Sequence, residues 1–562
     1  MPGGQPQEIS RIKRFSTLIC SSWTLIGTVG LLVLYFVYQR GADTNWDLEC
    51  YHYYNGYALL HWRFPLDIMP AGFQTYFNPV PNLLTYIAYS SLPFPFDAWL
   101  ITCVQLLCLP LLWLIGLEIS RDLGYEKPGV ALVLAFLLSL AAPVWMSELG
   151  TSFFSSTTAV FVLLSLLCCL RSVAPSTTPR TRDRYVALAG VSIGLAFSMK
   201  LSNGLFEVGL LSAIILPLAF RNIRQAIRSS LIFCIFSGVG FAINGWWYVY
   251  LAKEWGNPVF PLYNAIFKSS YFPPVNLGFE KFNFESISSL IKFLVSCVNG
   301  TARTQEIIFA DARLLIFPVL LVICFLVLGV RVIISGRRGF SQTEGSVCVA
   351  FLSFCCVSFA LWAKILAGQR YLIPVELVLG FAIWILAIKI YPNKKVISVV
   401  LALCIVVALV KIKVPNWGHY LAKNKPINHF GMQIPPELIN QPANYLMYGF
   451  PNAFIIPYLH PDSRFYRLET DTIASPSSFA KLIHNALAKR PNYPLRLLTF
   501  KLELEAARST AAKLGYPLPE AKVGSCLHFF ATGGHNSGQY VSCEISLDTP
   551  GPVKIPTKNP VK

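Results

Sequence analysis

The chain has 562 residues, 54% hydrophobic and only 13% charged, with a mean hydropathy of +0.53 and a formal net charge of +18. A soluble domain carries about a quarter charged residues, so this composition excludes an ordinary soluble protein and indicates a polytopic membrane protein. The positive charge does not mark a nucleic-acid binder. Its Lys and Arg residues sit in short gaps between apolar runs, where the positive-inside rule places them, and no Gly-rich phosphate loop follows a strand pattern.

Residues 1–15 are polar and basic, with Arg11, Lys13 and Arg14, and precede the apolar run Ser16–Tyr38. That run is too long for a signal-peptide core and lacks a small-residue cleavage site. It reads as a retained membrane helix with its N-terminal flank in the cytoplasm. Gly41–Asn82 then lies outside. This aromatic, polar stretch holds Asp43, Asp47, Glu49, His52, His61, Arg63 and Asp67. Tyr51, Tyr54 and Ala58 follow Asp47 at helical spacing, which predicts a short helix with the acid and both phenols on one face. Ionisable groups held at a membrane boundary suggest a functional site. The plainer alternative is an interfacial helix with a Trp/Tyr belt and solvated acids. His52 and His61 lack the spacing of a metal pair, and no metal ligand is assigned.

Asn82–Leu92 is too short to span and reads as an interfacial helix. Ten apolar runs of crossing length follow: Asp97–Ile119, Pro128–Met146, Phe153–Leu170, Tyr185–Met199, Leu205–Phe220, Ser229–Tyr250, Leu314–Val330, Ser346–Ala367, Tyr371–Ile388 and Val396–Lys411. The threading gives about eleven spans. Every gap assigned inside is basic: Arg121 and Lys127, then Arg171, Arg180, Arg182 and Arg184, then Arg221, Arg224 and Arg228, then Arg331, Arg337 and Arg338, then Lys394 and Lys395. The same threading brings Asp43, Asp47, Glu148, Lys200, Lys364 and Arg370 to the outer face. It also puts there the long, largely polar loop 251–311 with its Pro- and aromatic-rich segment GNPVFPLYNAIFKSSYFPPVN.

The organisation expected is a cytoplasmic N-terminus (1–15), a membrane domain (16–413) whose first outer loop is 41–96, and an outside domain (414–562). The fold class is mainly α, a polytopic transmembrane helix bundle with interfacial helices, plus a small C-terminal α/β domain. In the tail, Phe479–Ala488 and Leu502–Leu514 read as helices. Ala453–Leu459, Arg464–Leu468, Leu495–Thr499, Cys526–Ala531 and Gln539–Ile545 read as strands. TGGHNSG (532–538) is a hairpin loop with Cys526 and Cys543 on its arms, and a disulfide is favoured there over two thiols. Most other cysteines are scattered through apolar runs as small buried hydrophobes. The last dozen residues, rich in Pro and Lys, read as disordered.

An outer-face site has no access to cytoplasmic nucleotide sugars or ATP, so a transferase there needs a lipid-borne donor. Glycosyl transfer from a polyprenyl-phosphate sugar asks for a carboxylate to take the acceptor's proton and cations to hold the departing lipid phosphate. Arg370, in AGQRYLIPVE, offers a planar fork suited to phosphate, unless it is held by Glu376. Lys200 ends a span in SMKLSNG, where simple snorkelling is the alternative; snorkelling is preferred for Lys364. Glu148 is either a donor-sugar or metal contact or a solvated loop acid. Asn299-Gly300-Thr301 fits a glycosylation acceptor, a pattern common by chance.

Several short motifs occur in order and on one side. They are D-x-x-x-Y from Asp47 to Tyr51, GYALLHWR (Gly56–Arg63), YFNP (Tyr76–Pro79), GLAFSMK ending at Lys200, and QRYLIP (Gln369–Pro374). Over about Ser16–Lys411 this arrangement resembles the GT-C superfamily of integral-membrane glycosyltransferases. Among its bacterial members it is most similar to the polyprenol-phosphate-mannose-dependent mannosyltransferases and the lipid A aminoarabinose transferase. The resemblance implies a multi-pass protein of the bacterial cytoplasmic (inner) membrane. It implies a polyprenyl-phosphate sugar as co-substrate, with a divalent metal left open, and a glycolipid, glycan or protein acceptor. Asp47 would be the base, with Asp43 the alternative. Lys200 and Arg370 would hold the phosphate, and Tyr51, His52, Glu148 and Tyr371 would line the substrate site. One departure concerns the acid: many branches carry two adjacent acids in this loop, whereas Leu48 follows Asp47 here. The competing reading is a flippase or transporter of lipid-linked sugars, which often shows internal repeats; none is visible.

Overall fold

The computed structural model describes residues 5–125, 129–277, 284–304, 307–335, 345–420, 429–469, 476–531 and 538–545. Lys127, Arg337, Arg338, residues 532–537 of the hairpin loop, the Pro/Lys-rich end, and the side chains of Arg11, Lys13 and Arg14 lie outside the described residues.

Apolar runs become helices because a buried backbone in lipid must satisfy its own hydrogen bonds. The first, α1 (Gln5–Arg40), leads into the first long loop, which begins with β1 (Ala42–Asp43) and carries α2 (Tyr53–Leu60) and α3 (Asn82–Ser91). The bundle continues through α4 (Phe96–Gln105), α5 (Cys108–Asp122), α6 (Val130–Leu140), α7 (Pro143–Glu148), α8 (Phe154–Val173), α9 (Pro179–Met199), α10 (Gly204–Ala219), α11 (Ile223–Ala242) and α12 (Gly245–Trp255). Its remaining helices are α13 (Asn264–Phe267), α14 (Ile287–Asn299), α15 (Arg313–Ser335), α16 (Ser346–Ile365), α17 (Ile373–Glu376), α18 (Leu379–Ile390) and α19 (Lys394–Lys411), with the hairpin β2 (Ala302–Thr304) and β3 (Ile307–Phe309) between α14 and α15.

Among the described residues seven helices are long and apolar enough to cross a membrane, or up to eight if the pair Gln369–Glu376 and Leu379–Ile390, bent by 53°, is one span. Three of the expected crossings fall outside that set for identifiable reasons. Pro128–Met146 breaks at Ala141–Ala142 into α6 and α7. α9 carries Arg180, Arg182, Asp183 and Arg184 in its first turns. α19 has 18 residues, with Lys394, Lys395 and Lys411 among them. Ser229–Tyr250 also departs from a straight crossing, ending at Ala242 and restarting at Gly245. The expected polar loop 251–311 is less polar than its composition suggests. It contains α14, started by a capping box at Ser286 and Ser289 and stopped by Gly300 at φ 68°, with Phe293, Leu294 and Cys297 buried.

The tail folds around one mixed sheet. Its start pairs with the first loop through β4 (His419–Tyr420), which runs antiparallel to β1. The sheet itself comprises β5 (Met432–Gln433), β6 (Asn444–Met447), β7 (Arg464–Arg467), β8 (Leu495–Phe500), β9 (Leu527–Ala531) and β10 (Gly538–Ile545), in the order β5-β9-β10-β8-β6-β7. β6 pairs in parallel with both β7 and β8. The expected strand Ala453–Leu459 is instead a 3-10 helix over Ala453–Tyr458 with Pro457 inside it, since proline cannot donate to a sheet ladder. Cys526 and Cys543 are joined by a disulfide, with Cα atoms 4.3 Å apart.

Tail and first loop share a hydrophobic core, in which Tyr53, Tyr54 and Tyr57 of α2 pack with Phe430, Phe454 and Tyr445. Ile68 extends the sheet beside β7, donating to Phe465 O at 2.8 Å and accepting from Arg467 N at 3.0 Å. A buried Arg63–Asp67 pair (2.7 Å) seals the joint. Arg63 also donates to the carbonyls of Pro461 and Ser463, and Asp67 accepts from Phe465 N. Arg467, fully buried, reaches the carbonyls of Gly449 and Pro70 and the Asn452 side chain. A single buried charge left unpaired at such a joint costs several kcal/mol, which is why these partners come as networks.

A second knot ties the loop's entry to the bundle. The Asp43 carboxylate accepts from Asn45 N (3.0 Å), Asn45 Nδ2 (2.5 Å), Ser152 N (2.7 Å) and Tyr89 OH (3.1 Å). His429 stacks on Tyr89, with Nδ1 3.1 Å from Asp97 Oδ2 and Nε2 2.7 Å from the Asp43 carbonyl. Both partners are acceptors, so making both bonds requires an imidazolium. Burial lowers the pKa of His429, but the Asp97 hydrogen bond and charge and the Asp43 carbonyl outweigh it and raise the value.

A group whose folded pKa is raised contributes stability below its unfolded value, near 6.5, and loses that contribution as pH rises through the folded value. The wild-type protein therefore should melt at a higher temperature at pH 6 than at pH 9 by a margin that His429→Gln abolishes; an equal margin in both refutes the ring's charged state. Asp43→Ala, which strips the acceptor from four donors, should destabilise the fold by about 3 kcal/mol or more, read by thermal unfolding in detergent.

Candidate active site

The loop after α1 presents Asp47 through an irregular turn. Asp47 precedes a π-helical turn, Leu48–His52, which continues into α2. The wider turn spoils the helical register expected from spacing. Tyr51 stays near Asp47, whereas Tyr54 turns away and donates to Asp67 at 3.0 Å. The predicted face of one acid and two phenols is thus split between two environments.

Arg370 arrives from the other end of the chain. α16 ends in a tight turn at Ala367 (φ 38°), held by a hydrogen bond from Trp362 Nε1 to Gly368 O at 2.7 Å, and a short 3-10 turn, Gln369–Leu372, follows. Arg370 Nη1 lies 2.9 Å from Asp47 Oδ2. The rings of Phe153, Trp417 and Tyr371 surround its guanidinium at 4.7, 5.3 and 5.9 Å, cation–π contacts that steer its planar fork. Trp417 is fixed by donating to Ser147 Oγ at 2.7 Å. Glu376, the expected alternative partner of Arg370, accepts instead from Val144 N and Trp145 N.

Lys200 caps the end of α9 and turns inward rather than out to the interface. Its Nζ donates to Ser155 Oγ at 2.6 Å and lies 5.0 Å from the Tyr371 ring centre. Glu148 is no solvated loop acid, being 0% exposed. Its Oε2 accepts from Ser156 N (2.8 Å) and Oγ (2.9 Å), and among the described residues Oε1 has no hydrogen-bond partner. Burial holds its pKa above the usual carboxylate range, opposed in part by the charges of Lys200 and Arg370.

His52 is buried against Tyr51, Phe154 and Phe153. Burial pushes its pKa down to about 3, opposed by Asp47 and assisted by Lys200 and Arg370. At neutral pH it is an uncharged ring and a weak base. The Tyr51 phenol is held well above its usual range by burial and by Asp47, so it too stays neutral.

The structure therefore gathers Asp47, Tyr51, His52, Glu148, Lys200, Arg370 and Tyr371 into one cluster, with two carboxylates facing two cations. Asp43 stands apart, its carboxylate committed to the four donors described above. Lys364 is exposed on the last turn of α16. Sequence reasoning missed Phe153, Ser155 and Trp417. Phe153 and Ser155 flank the start of α8 with no motif of their own, and Trp417 belongs to the tail, which no pattern tied to the site. Among the described residues no three His, Cys, Asp or Glu side chains gather as a metal site.

Residues 76–271 match the model of glycosyltransferase family 87, a span that contains Glu148 and Lys200. Among solved structures the chain is similar to ArnT from Cupriavidus metallidurans bound to undecaprenyl phosphate, with a TM-score of 0.50 and 12% identity over 94% of this chain and 99% of that one. Against the apo state of the same enzyme the TM-score is 0.49, with 11% identity over 95% and 100% of the two chains. At such identity the first likeness is one of fold. No curated protein matches the chain in sequence. The family match favours transfer chemistry over the carrier alternative. With a family 87 segment at residues 76–271 set in a fold like that of ArnT, the chain is a membrane glycosyltransferase.

Proposed function

We propose that this glycosyltransferase takes a sugar from a polyprenyl-phosphate donor and passes it to a glycolipid, glycan or protein of the cell envelope, at the outer face of a bacterial cytoplasmic membrane. The observation that carries the reading is the convergence of Asp47, Lys200 and Arg370, from three distant segments, on one partly buried cluster. The undecaprenyl phosphate bound to the structurally similar ArnT supports the donor class. The basic gaps between spans support the sidedness. The division into a membrane domain (16–413) and an outer domain (414–562) belongs to the same proposal.

Asp47 is the general base. Its carboxylate takes the proton of the acceptor hydroxyl as that oxygen bonds to the anomeric carbon, while the bond from that carbon to the phosphate oxygen breaks and polyprenyl phosphate departs with the electron pair. Arg370 and Lys200 hold the phosphate as its charge grows. In the resting enzyme Arg370 sits on Asp47, so the donor phosphate must draw the guanidinium toward itself, which frees the carboxylate to act. One direct displacement predicts inversion at the anomeric carbon. Glu148, with a buried unsatisfied oxygen, is suited to accept a hydrogen bond from a donor-sugar hydroxyl. His52, Tyr51 and Tyr371 form the uncharged wall. Asp43 takes no part, because its acceptor sites are already filled.

Purified protein in lipid vesicles, given radiolabelled polyprenyl-phosphate sugars and extracted envelope glycolipid, should transfer label. Asp47→Asn should cut turnover by about 10²–10⁴-fold with unfolding temperature unchanged; full turnover would reject Asp47 as base. Lys200→Ala and Arg370→Ala should each lower kcat/KM for the donor by roughly 10²-fold, and unaltered donor kinetics in both would remove their phosphate role.

A further inference from the structure

The helices that present Arg370 and Glu148 meet at a buried carboxylate that touches neither. α7 begins at Pro143, and its preceding residue, Ala142, has no side-chain acceptor for the free N–H groups of the first turn. Glu376, more than two hundred residues away, supplies the acceptors: Oε1 takes Val144 N and Oε2 takes Trp145 N, each at 3.1 Å. Its side chain is 0% exposed. Just before the break between α6 and α7, Arg313 Nη1 donates to the carbonyls of Leu138 and Ser139, each at 2.9 Å, closing the C-terminal turn of α6. Arg313 is held by Asp311 through Nε (2.9 Å) and Nη2 (2.7 Å), and Nη2 lies 3.8 Å from Glu376 Oε1. A cation therefore closes the negative end of one helix and an anion the positive end of the next, and the two heads meet across the kink.

The placement of this staple matters for the site. Glu376 ends the four-residue helix Ile373–Glu376, which follows directly on the turn that carries Arg370. α7 packs on both. At its far end α7 carries Glu148 and also Ser147, which anchors Trp417 over the Arg370 guanidinium.

We propose that Glu376 is a positioning residue for the transfer reaction, acting through Arg370: its carboxylate sets where the Arg370 turn stands relative to the Glu148 wall. The proposal rests on the reading that Arg370 receives the donor phosphate. The distinguishing experiment is a double-mutant cycle in vesicles, using Glu376→Gln, Arg370→Ala and the pair, with donor and acceptor kinetics measured separately. Glu376→Gln keeps the volume but turns an amide donor toward one of the two N–H groups. It should lower kcat/KM for the polyprenyl-phosphate sugar by roughly 10²-fold, leave the acceptor KM unchanged, and cause no further loss when added to Arg370→Ala. Wild-type donor kinetics in Glu376→Gln, or losses that add in the pair, overturn the proposal. Unchanged donor kinetics in Arg370→Ala would instead strike the functional reading itself. Glu376→Asp serves as the second variant, and failure of both Glu376 variants to accumulate as folded protein would make the residue a folding strut and overturn its positioning role.

Discussion

The contact between Asp47 and Arg370 is the interaction on which the rest depends. It joins residues 323 positions apart, one on an irregular turn after the first membrane helix and the other on a turn between two late helices. Each side is partly exposed, at 17% for the acid and 12% for the guanidinium. The pair is thus shielded enough for its charges to matter and open enough for a ligand to replace one partner. An ion pair in that middle ground can be exchanged, whereas a fully buried one such as Arg63–Asp67 is structural. The contrast separates the chain's acids by role: Asp67 and Asp43 are consumed by the fold, and Asp47 is held in reserve.

The surrounding architecture keeps that contact in place. Aromatic rings from the residue before α8, the Arg370 turn and the tail confine the guanidinium without neutralising it. The tail is more than an appendage. It shares its core with the first loop, extends its sheet through Ile68, and sends Trp417 to the site. Anything that loosened the tail would also loosen the turn that carries Asp47. Under the proposed function this gives the tail a physical part in the chemistry, through the rigidity of the loop that bears Asp47.

Much of this was legible in the sequence because two patterns are strong. Apolar runs separated by basic gaps revealed the helical bundle, and charged residues beside apolar runs pointed to Asp47, Lys200, Arg370 and Glu148, which the fold brings together. What stayed hidden was local geometry. A π-turn at Leu48–His52 leaves no composition signal, so the helical spacing from Asp47 misplaced Tyr54. The break at Ala141–Ala142 was invisible because the staple that tolerates it comes from Arg313 and Glu376, far along the chain. The choice between Asp43 and Asp47 could not be made from spacing. The proposal for Asp47 draws on the donors around Asp43, which include Ser152 and Tyr89 from outside the turn.

The most direct test is a structure of the protein in lipid nanodiscs with polyprenyl phosphate bound. The phosphate should lie between Lys200 Nζ and the Arg370 guanidinium, with Asp47 released from Arg370 and facing the acceptor side. A phosphate seated away from both cations, or an Asp47–Arg370 pair unchanged beside a bound phosphate, would contradict the exchange on which the mechanism turns.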